Sequence, residues 1–193
     1  MFFKIFNNNL CFVYNTRSYW YILLRYIRMS RDVTQLTDVL ISHIGLTIPI
    51  DLNKIISYFS DIEIEYDANI SKDGSIKLIK DKGYLIQIKN KELDIDNPKG
   101  YRDRFTIAHE LGHLFLEHLA DRDELFREGT SEEEYEANDF AANLLMPKAE
   151  FIECVYNNLD EEGLCNLDAV SDYFRVSISA VKTRGKFLGV FSW

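Results

Sequence analysis

The stretch RFTIAHELGHLFLEHL, residues 104–119, holds three of the four histidines in this chain of 193 residues. As a helix it is apolar around most of its circumference, which predicts a buried position at the centre of the fold. The apolar positions are Phe105, Ile107, Ala108, Leu111, Leu114 and Phe115. Because buried histidine and glutamate side chains need polar partners, this helix indicates a metal ion as one such partner.

Two histidines of this stretch, His109 and His113, are four residues apart, with Glu110 between them. Helix positions i and i+4 lie about 40° apart, so both imidazoles can bind one ion. Glu110 is offset by about 100° from His109, which puts its carboxylate beside the ion as a general base. The alternative is an amphipathic helix that exposes both histidines. Gly112, a poor helix former, favours the metal site, because it leaves room for substrate or another backbone.

A catalytic zinc site needs a third protein ligand and one open position. His118 follows His113 by five residues. On a continuous helix it lies about 140° away, so it is predicted to be a surface residue rather than a ligand. Leu116 and Leu119 occupy the glycine and third-histidine positions of the metzincin pattern, which excludes that class. A carboxylate on a second helix remains as the source of the third ligand.

The segment EEYEANDFAANLLMP, residues 133–147, predicts that second helix. Glu136 lies among small residues that let two helices approach closely, namely Ala137, Ala141 and Ala142. A glutamate beside such a face needs compensation for its charge, and a metal ion provides it. The other acidic residues are predicted to form a solvated first turn, where negative charge is favourable. These are Glu132, Glu133 and Glu134.

The two motifs RFTIAHELGH and EYEANDFAANLLMP resemble the ImmA/IrrE-type metallopeptidases in their order and spacing. The clear match covers residues 102–148, and a looser match covers the preceding helix and sheet and the tail. The resemblance implies that one Zn²⁺ ion is held by His109, His113 and Glu136. It implies that Glu110 is the general base. Mn²⁺ or Fe²⁺ could occupy the same ligands.

The same resemblance implies a function in regulatory proteolysis. The expected protein is a cytoplasmic zinc-dependent endopeptidase that cleaves a helix-turn-helix repressor in phage, mobile-element or stress-response control. The alternative is a non-catalytic, zinc-stabilised regulatory module that binds such a repressor. Asp139 could orient a ligand histidine. Tyr101, Tyr135 and His118 are candidate oxyanion donors, among which spacing does not choose.

The periodicity of apolar residues predicts an α+β fold. Helical spacing covers residues 33–44 and 52–60, and alternation of apolar with polar residues covers 62–66, 75–80 and 84–90. The last two strands flank Asp-Lys-Gly, a good hairpin turn because glycine adopts positive φ. We therefore expect a small, mostly antiparallel three-stranded sheet. It would pack against a helical zincin-like core with the H-E-x-x-H helix at its centre and a C-terminal helical segment.

The chain divides into three predicted parts. Residues 1–28 are a poorly specified basic and aromatic extension, and Met29 is a plausible native start. Residues 29–160 form the metallopeptidase domain, while 121–134 read as an acidic loop. Residues 161–193 form a helix-turn-helix-like segment packed on the same domain. Its basic residues are Arg175, Lys182, Arg184 and Lys186. A helical pair that closes the core is the preferred interpretation of this tail, and DNA binding is the alternative.

Composition excludes several classes of protein. The net charge of −9 and the pI near 5.0 argue against nucleic-acid binding by the whole surface. The three cysteines form no Cys-x-x-Cys motif, which favours a reducing cytoplasm, with a Cys154–Cys165 disulfide as the alternative. No apolar run approaches the ~18 residues of a membrane-spanning helix, so we expect no membrane partner.

Overall fold

The computed structural model describes residues 32–79, 82–89, 100–119 and 132–192, together with the backbone of 124–126. The predicted extension, residues 1–28, lies outside the described residues. The elements are α1 (Val33–Ile44), α2 (Leu52–Tyr58), β1 (Ile62–Tyr66), β2 (Gly74–Ile79), β3 (Gly83–Ile88), α3 (Tyr101–Phe115), β4 (Glu124–Phe126), α4 (Glu132–Leu145), α5 (Lys148–Asn157), α6 (Leu167–Phe174) and α7 (Ile178–Phe187). This order confirms the α+β fold class.

The sheet has the strand order β1-β3-β2-β4. Strand β1 pairs with β3 in parallel, whereas β2 pairs antiparallel with both β3 and β4, so the sheet is mostly antiparallel as predicted. Strand β4 is an addition to the prediction, since it lies within the segment 121–134 that was predicted to be a loop. Three residues are too few for an alternating pattern to reveal a strand. Pairing with β2 defines β4 instead.

The β2–β3 hairpin depends on Gly83. This residue has φ +108°, and a Cβ atom here would collide with the backbone of Asp61. The next residue, Tyr84, donates its N–H to the carbonyl of Asp61 at 2.6 Å, which explains the close approach. Glycine is therefore required at this position, as the turn pattern predicted.

Helix α3 lies at the centre of the fold, between the sheet and α4. Its close packing with α4 occurs at Gly112, where an added Cβ would lie 3.1 Å from both the Cα and the carbonyl oxygen of Ala137. The rings of Phe115 and Phe140 stack nearby, with centroids 5.7 Å apart. The expectation that Gly112 admits another backbone is thus confirmed, and that backbone belongs to α4.

Buried polar contacts fasten the C-terminal helices to the rest of the fold. The Arg104 guanidinium donates to the carbonyl oxygens of Ile50, at 2.7 Å, and Arg175, at 3.1 Å. The hydroxyl of Tyr101 donates to Asp172 at 3.3 Å. Side chains of α6 and α7 also join the main hydrophobic core, namely Val170, Phe174 and Val181.

A second polar contact, which we call the arginine cluster, joins the buried residues Arg184 and Asn143 to Asp139, which is exposed. Arg184 on α7 donates to the side-chain oxygen of Asn143 at 2.8 Å and to the carbonyl of Met146 at 3.1 Å. The Asn143 amide in turn donates to the carboxylate of Asp139 at 2.9 Å. Arg184 is only 5% exposed. Arg184 therefore does not belong to an exposed basic face, although it was predicted to group with the other basic residues of the tail.

The cysteines and the helix lengths bear on two further expectations. Cys154 and Cys165 are both free thiols, so the alternative of a disulfide between them is wrong. Within the described ranges, no helix combines the length and the apolar character that crossing a membrane requires.

Candidate metal centre

Three buried side chains from α3 and α4 converge on one point. His109 and His113 project from the same face of α3, and Glu134 reaches them from the first turn of α4. The two Nε2 atoms are 3.1 Å apart. The Glu134 carboxylate lies 3.2 Å from Nε2 of His109 and 3.4 Å from Nε2 of His113. All three side chains are buried, and together they could hold one metal ion.

These distances fit a tetrahedral ion. Ligand atoms about 2.0–2.2 Å from a zinc ion lie roughly 3.3–3.6 Å from one another in tetrahedral geometry. The measured separations, 3.1 to 3.4 Å, are close to that range. Two imidazoles and one carboxylate are also a donor set that suits zinc, and they leave a fourth position open. The residues present therefore fit a catalytic zinc ion.

The hydrogen bonds of the two imidazoles fix their tautomers. Nδ1 of His109 lies 3.1 Å from the amide oxygen of Asn138, which can only accept, so this nitrogen carries the proton. Nδ1 of His113 lies 2.9 Å from Nδ1 of His118, whose Nε2 lies 3.0 Å from the Glu136 carboxylate. Because Glu136 accepts from His118, the other nitrogen of His118 accepts from His113. Both ligand imidazoles then present Nε2 lone pairs to the centre.

The charge state of His113 agrees with this tautomer. The pKa of His113 is lowered to about 3, chiefly by burial and also by the neighbouring His109, while Glu134 has the opposite effect. The imidazole is therefore neutral near neutral pH, which is the form that binds a metal ion.

The third ligand of the candidate centre is a different carboxylate from the one predicted. Glu136 was expected to bind the ion, but the structure places Glu134 there and directs Glu136 to His118. The reason is the phase of α4. Ala137 and Ala141, which face α3, follow Glu134 by three and seven residues, so all three share one face of the helix. Glu136 lies about 100° from Ala137. The same periodicity in the sequence could have identified Glu134, which is buried rather than solvated.

Two neighbouring predictions also change. The side chain of His118 is only 6% exposed and bonds to His113, so it is not a surface residue. The partner of His109 is Asn138, which the sequence did not indicate, rather than the predicted Asp139. Asn138 follows Glu134 by four residues and therefore shares its face of α4.

Glu110, the predicted general base, is buried on the side of α3 that faces the sheet. An added Cβ at Gly74, the first residue of β2, would lie 2.8 Å from Oε1 of Glu110 and 2.5 Å from a methyl carbon of Thr106. Because Gly74 has no side chain, it leaves room for the carboxylate of Glu110. Sequence reasoning missed Gly74, because its role arises from a contact between distant segments.

A cavity of about 570 Å³ adjoins the centre between α3, α4 and α7. Asn138 both lines this cavity and bonds to His109, so the cavity reaches a residue that contacts the candidate metal centre. Two aromatic residues at its border, Tyr135 and Phe187, are 63% and 73% exposed. Of the candidate oxyanion donors, Tyr135 lines the cavity, whereas the Tyr101 hydroxyl is bonded to Asp172.

A buried His-His-Glu group on an α+β fold, with a glutamate inside the H-E-x-x-H helix, defines a metallopeptidase-like domain. Residues 96–186 match the family model described as the IrrE N-terminal-like domain, Peptidase M78. This match confirms the resemblance to the ImmA/IrrE-type peptidases over that segment. The matched segment includes all the centre's residues on α3 and α4 and begins after strands β1–β3. No curated protein matches the chain.

Proposed function

We propose that this protein is a zinc-dependent endopeptidase that cleaves a helix-turn-helix repressor or related transcription regulator. The observation that carries the proposal is the convergence of His109, His113 and Glu134 within 3.1 to 3.4 Å. Glu110 follows His109 directly on the same helix. The family match supports peptidase activity in general.

In the proposed mechanism, His109, His113 and Glu134 would hold the ion. Bound zinc supplies Lewis acidity, which lowers the pKa of a water toward ~7 and polarises a peptide carbonyl. The Glu110 carboxylate takes the proton of the attacking water and passes it to the leaving amine. Burial of Glu110 excludes competing solvent from that proton transfer.

The two parts of the substrate proposal, a polypeptide and a repressor, have different support. The cavity beside Asn138 offers room for a polypeptide side chain, and its aromatic border suits an apolar one. The family resemblance is the only support for a repressor as the substrate and for phage, mobile-element or stress-response control. The free thiols of Cys154 and Cys165 favour the cytoplasm as the compartment.

Incubation of the zinc-loaded protein with the repressor encoded beside its gene tests the proposal. The variant Glu110→Gln is expected to lower the cleavage rate by about a hundred- to ten-thousandfold, because it removes the general base. Its zinc content, measured by metal analysis, should equal that of the wild type. Glu132→Gln, which changes an exposed glutamate of α4, is the matched control and should cleave normally.

Two outcomes would reject proteolysis. Cleavage by Glu110→Gln at the wild-type rate would show that the assigned base is not used. Zinc-loaded wild type that binds the repressor and leaves it intact would instead support the non-catalytic regulatory module.

A further inference from the structure

We propose that His118 and Glu136 form a positioning pair that holds the His113 imidazole in its metal-binding orientation. The inference concerns the metal centre on which the proposed function rests. Neither residue touches the ion. Each acts through His113, by a chain of two hydrogen bonds of 2.9 and 3.0 Å.

The backbone after α3 brings His118 to His113. The helix ends at Phe115, and Glu117 adopts the left-handed region with φ +60°. The His118 N–H then donates to the carbonyl of His113 at 3.0 Å, and the Glu117 N–H donates to that of Leu114 at 3.1 Å. These two bonds are the Schellman motif, which turns the chain back over the last helical turn. The spacing of five residues therefore places the two imidazoles together, with ring centroids 5.0 Å apart.

The direction of each hydrogen bond follows from chemistry. The ionised carboxylate of Glu136 only accepts, so His118 donates from Nε2 and keeps a lone pair on Nδ1. That lone pair accepts the Nδ1 proton of His113. The result is a single tautomer of His113, with Nε2 free to bind the ion. Such partners of ligand histidines typically contribute tenfold to a hundredfold in metal affinity.

The two ligand histidines have different partners. His109 is held by the amide of Asn138, which shares the metal-facing side of α4 with Glu134. Glu136 lies on a different side of α4 and contacts His118 rather than His113. The imidazole of His118 bridges that gap. Through this bridge the carboxylate of Glu136, whose side chain is 29% exposed, also supports His113.

Zinc affinity of the full chain, measured by competition with a chromogenic chelator, tests the pair without any substrate. His118→Ala is expected to bind Zn²⁺ about ten- to a hundredfold more weakly. His118→Asn places an amide oxygen near the position of Nδ1 and should recover most of the affinity, which a merely structural role would not predict. His43→Ala is the matched control, because His43 is an exposed imidazole bonded to Tyr58.

The glutamate provides an independent test should His118→Ala fail to fold. Glu136→Ala should also weaken Zn²⁺ binding, whereas Glu136→Gln keeps an acceptor and should stay within a few-fold of the wild type. Glu132→Ala makes the same charge change at an exposed site of α4 and should have no effect. Absorption spectra of the Co²⁺-loaded variants should change for Glu136→Ala and not for Glu132→Ala.

The outcomes separate this inference from the proposed function. Wild-type zinc affinity in both His118→Ala and Glu136→Ala would overturn the positioning pair while leaving proteolysis intact. Weakened affinity in a protein that cleaves nothing would support the pair and reject the peptidase. A wild type that binds no zinc would overturn both.

Discussion

Helix α4 contributes to two polar groups of residues, the candidate metal centre through Glu134 in its first turn and the arginine cluster through Asn143 in its last. In the arginine cluster, the Arg184 guanidinium meets the oxygens of Asn143 and Met146 at 2.8 and 3.1 Å, so donors face acceptors. In the metal centre, two imidazole lone pairs and a carboxylate face one another within 3.4 Å. The first group is complete within the protein. The second is a set of ligand atoms that could hold a metal ion.

The largest expected effect comes from breaking the metal centre at Glu134. Glu134→Ala should weaken Zn²⁺ binding by roughly a hundredfold to a thousandfold, because some 10–16 kcal/mol of binding free energy is divided among about four ligands. A chelator-competition titration measures this loss, with Glu132→Ala as the control. Normal binding by Glu134→Ala together with a much larger loss in Glu136→Ala would restore Glu136 as the ligand.

The arginine cluster should respond in stability rather than in metal binding. Arg184→Met removes the arginine donor of two buried oxygens, which costs about 1–3 kcal/mol each, so we expect the free energy of unfolding to fall by about 2–6 kcal/mol. Urea unfolding of the metal-free protein measures this, and zinc affinity of the folded variant should stay unchanged. Lys182→Met, at an exposed position of α7, is the matched control. Unaltered stability of Arg184→Met would contradict burial of this arginine.

A smaller effect is expected where the sheet meets α3, and it separates catalysis from metal binding. The Cβ of Gly74→Ala would lie 2.8 Å from the Glu110 carboxylate, which must then move. Misplacement of a catalytic group can cost up to about a hundredfold, so we expect kcat to fall roughly tenfold or more with unchanged zinc affinity. The kinetic comparison uses Leu78→Ala, an exposed position on β2, as the control. An unchanged kcat would argue that Glu110 is not the base.

The features of the candidate site that the sequence predicted are properties of single helices. The spacing of His109 and His113, the apolar surface of α3 and the small residues of α4 all follow from a period of about 3.6 residues. The small residues of α4 indicated a close approach of two helices, and Gly112 was expected to admit substrate or another backbone. The structure shows both features in one contact, between Gly112 and Ala137.

The features that the sequence did not predict depend on relations between segments. The sequence contains the period that links Glu134 to Ala137, but choosing Glu134 over Glu136 also requires that Ala137 be the residue packed against α3. His118 was misjudged because the angle of about 140° assumes a continuous helix, whereas α3 ends at Phe115. The role of Gly74 likewise depends on where the sheet meets α3.

The cavity beside the metal centre has walls from separate parts of the chain. Helices α3 and α4 provide the residues around the ion, whereas α7 contributes Ser179, Thr183 and Phe187 to the cavity wall. Those three α7 residues are exposed, and none of them belongs to the group that could hold a metal ion. Related proteins could therefore diverge in which polypeptide they accept by exchanging residues on α7, while the chemistry on α3 and α4 stays the same.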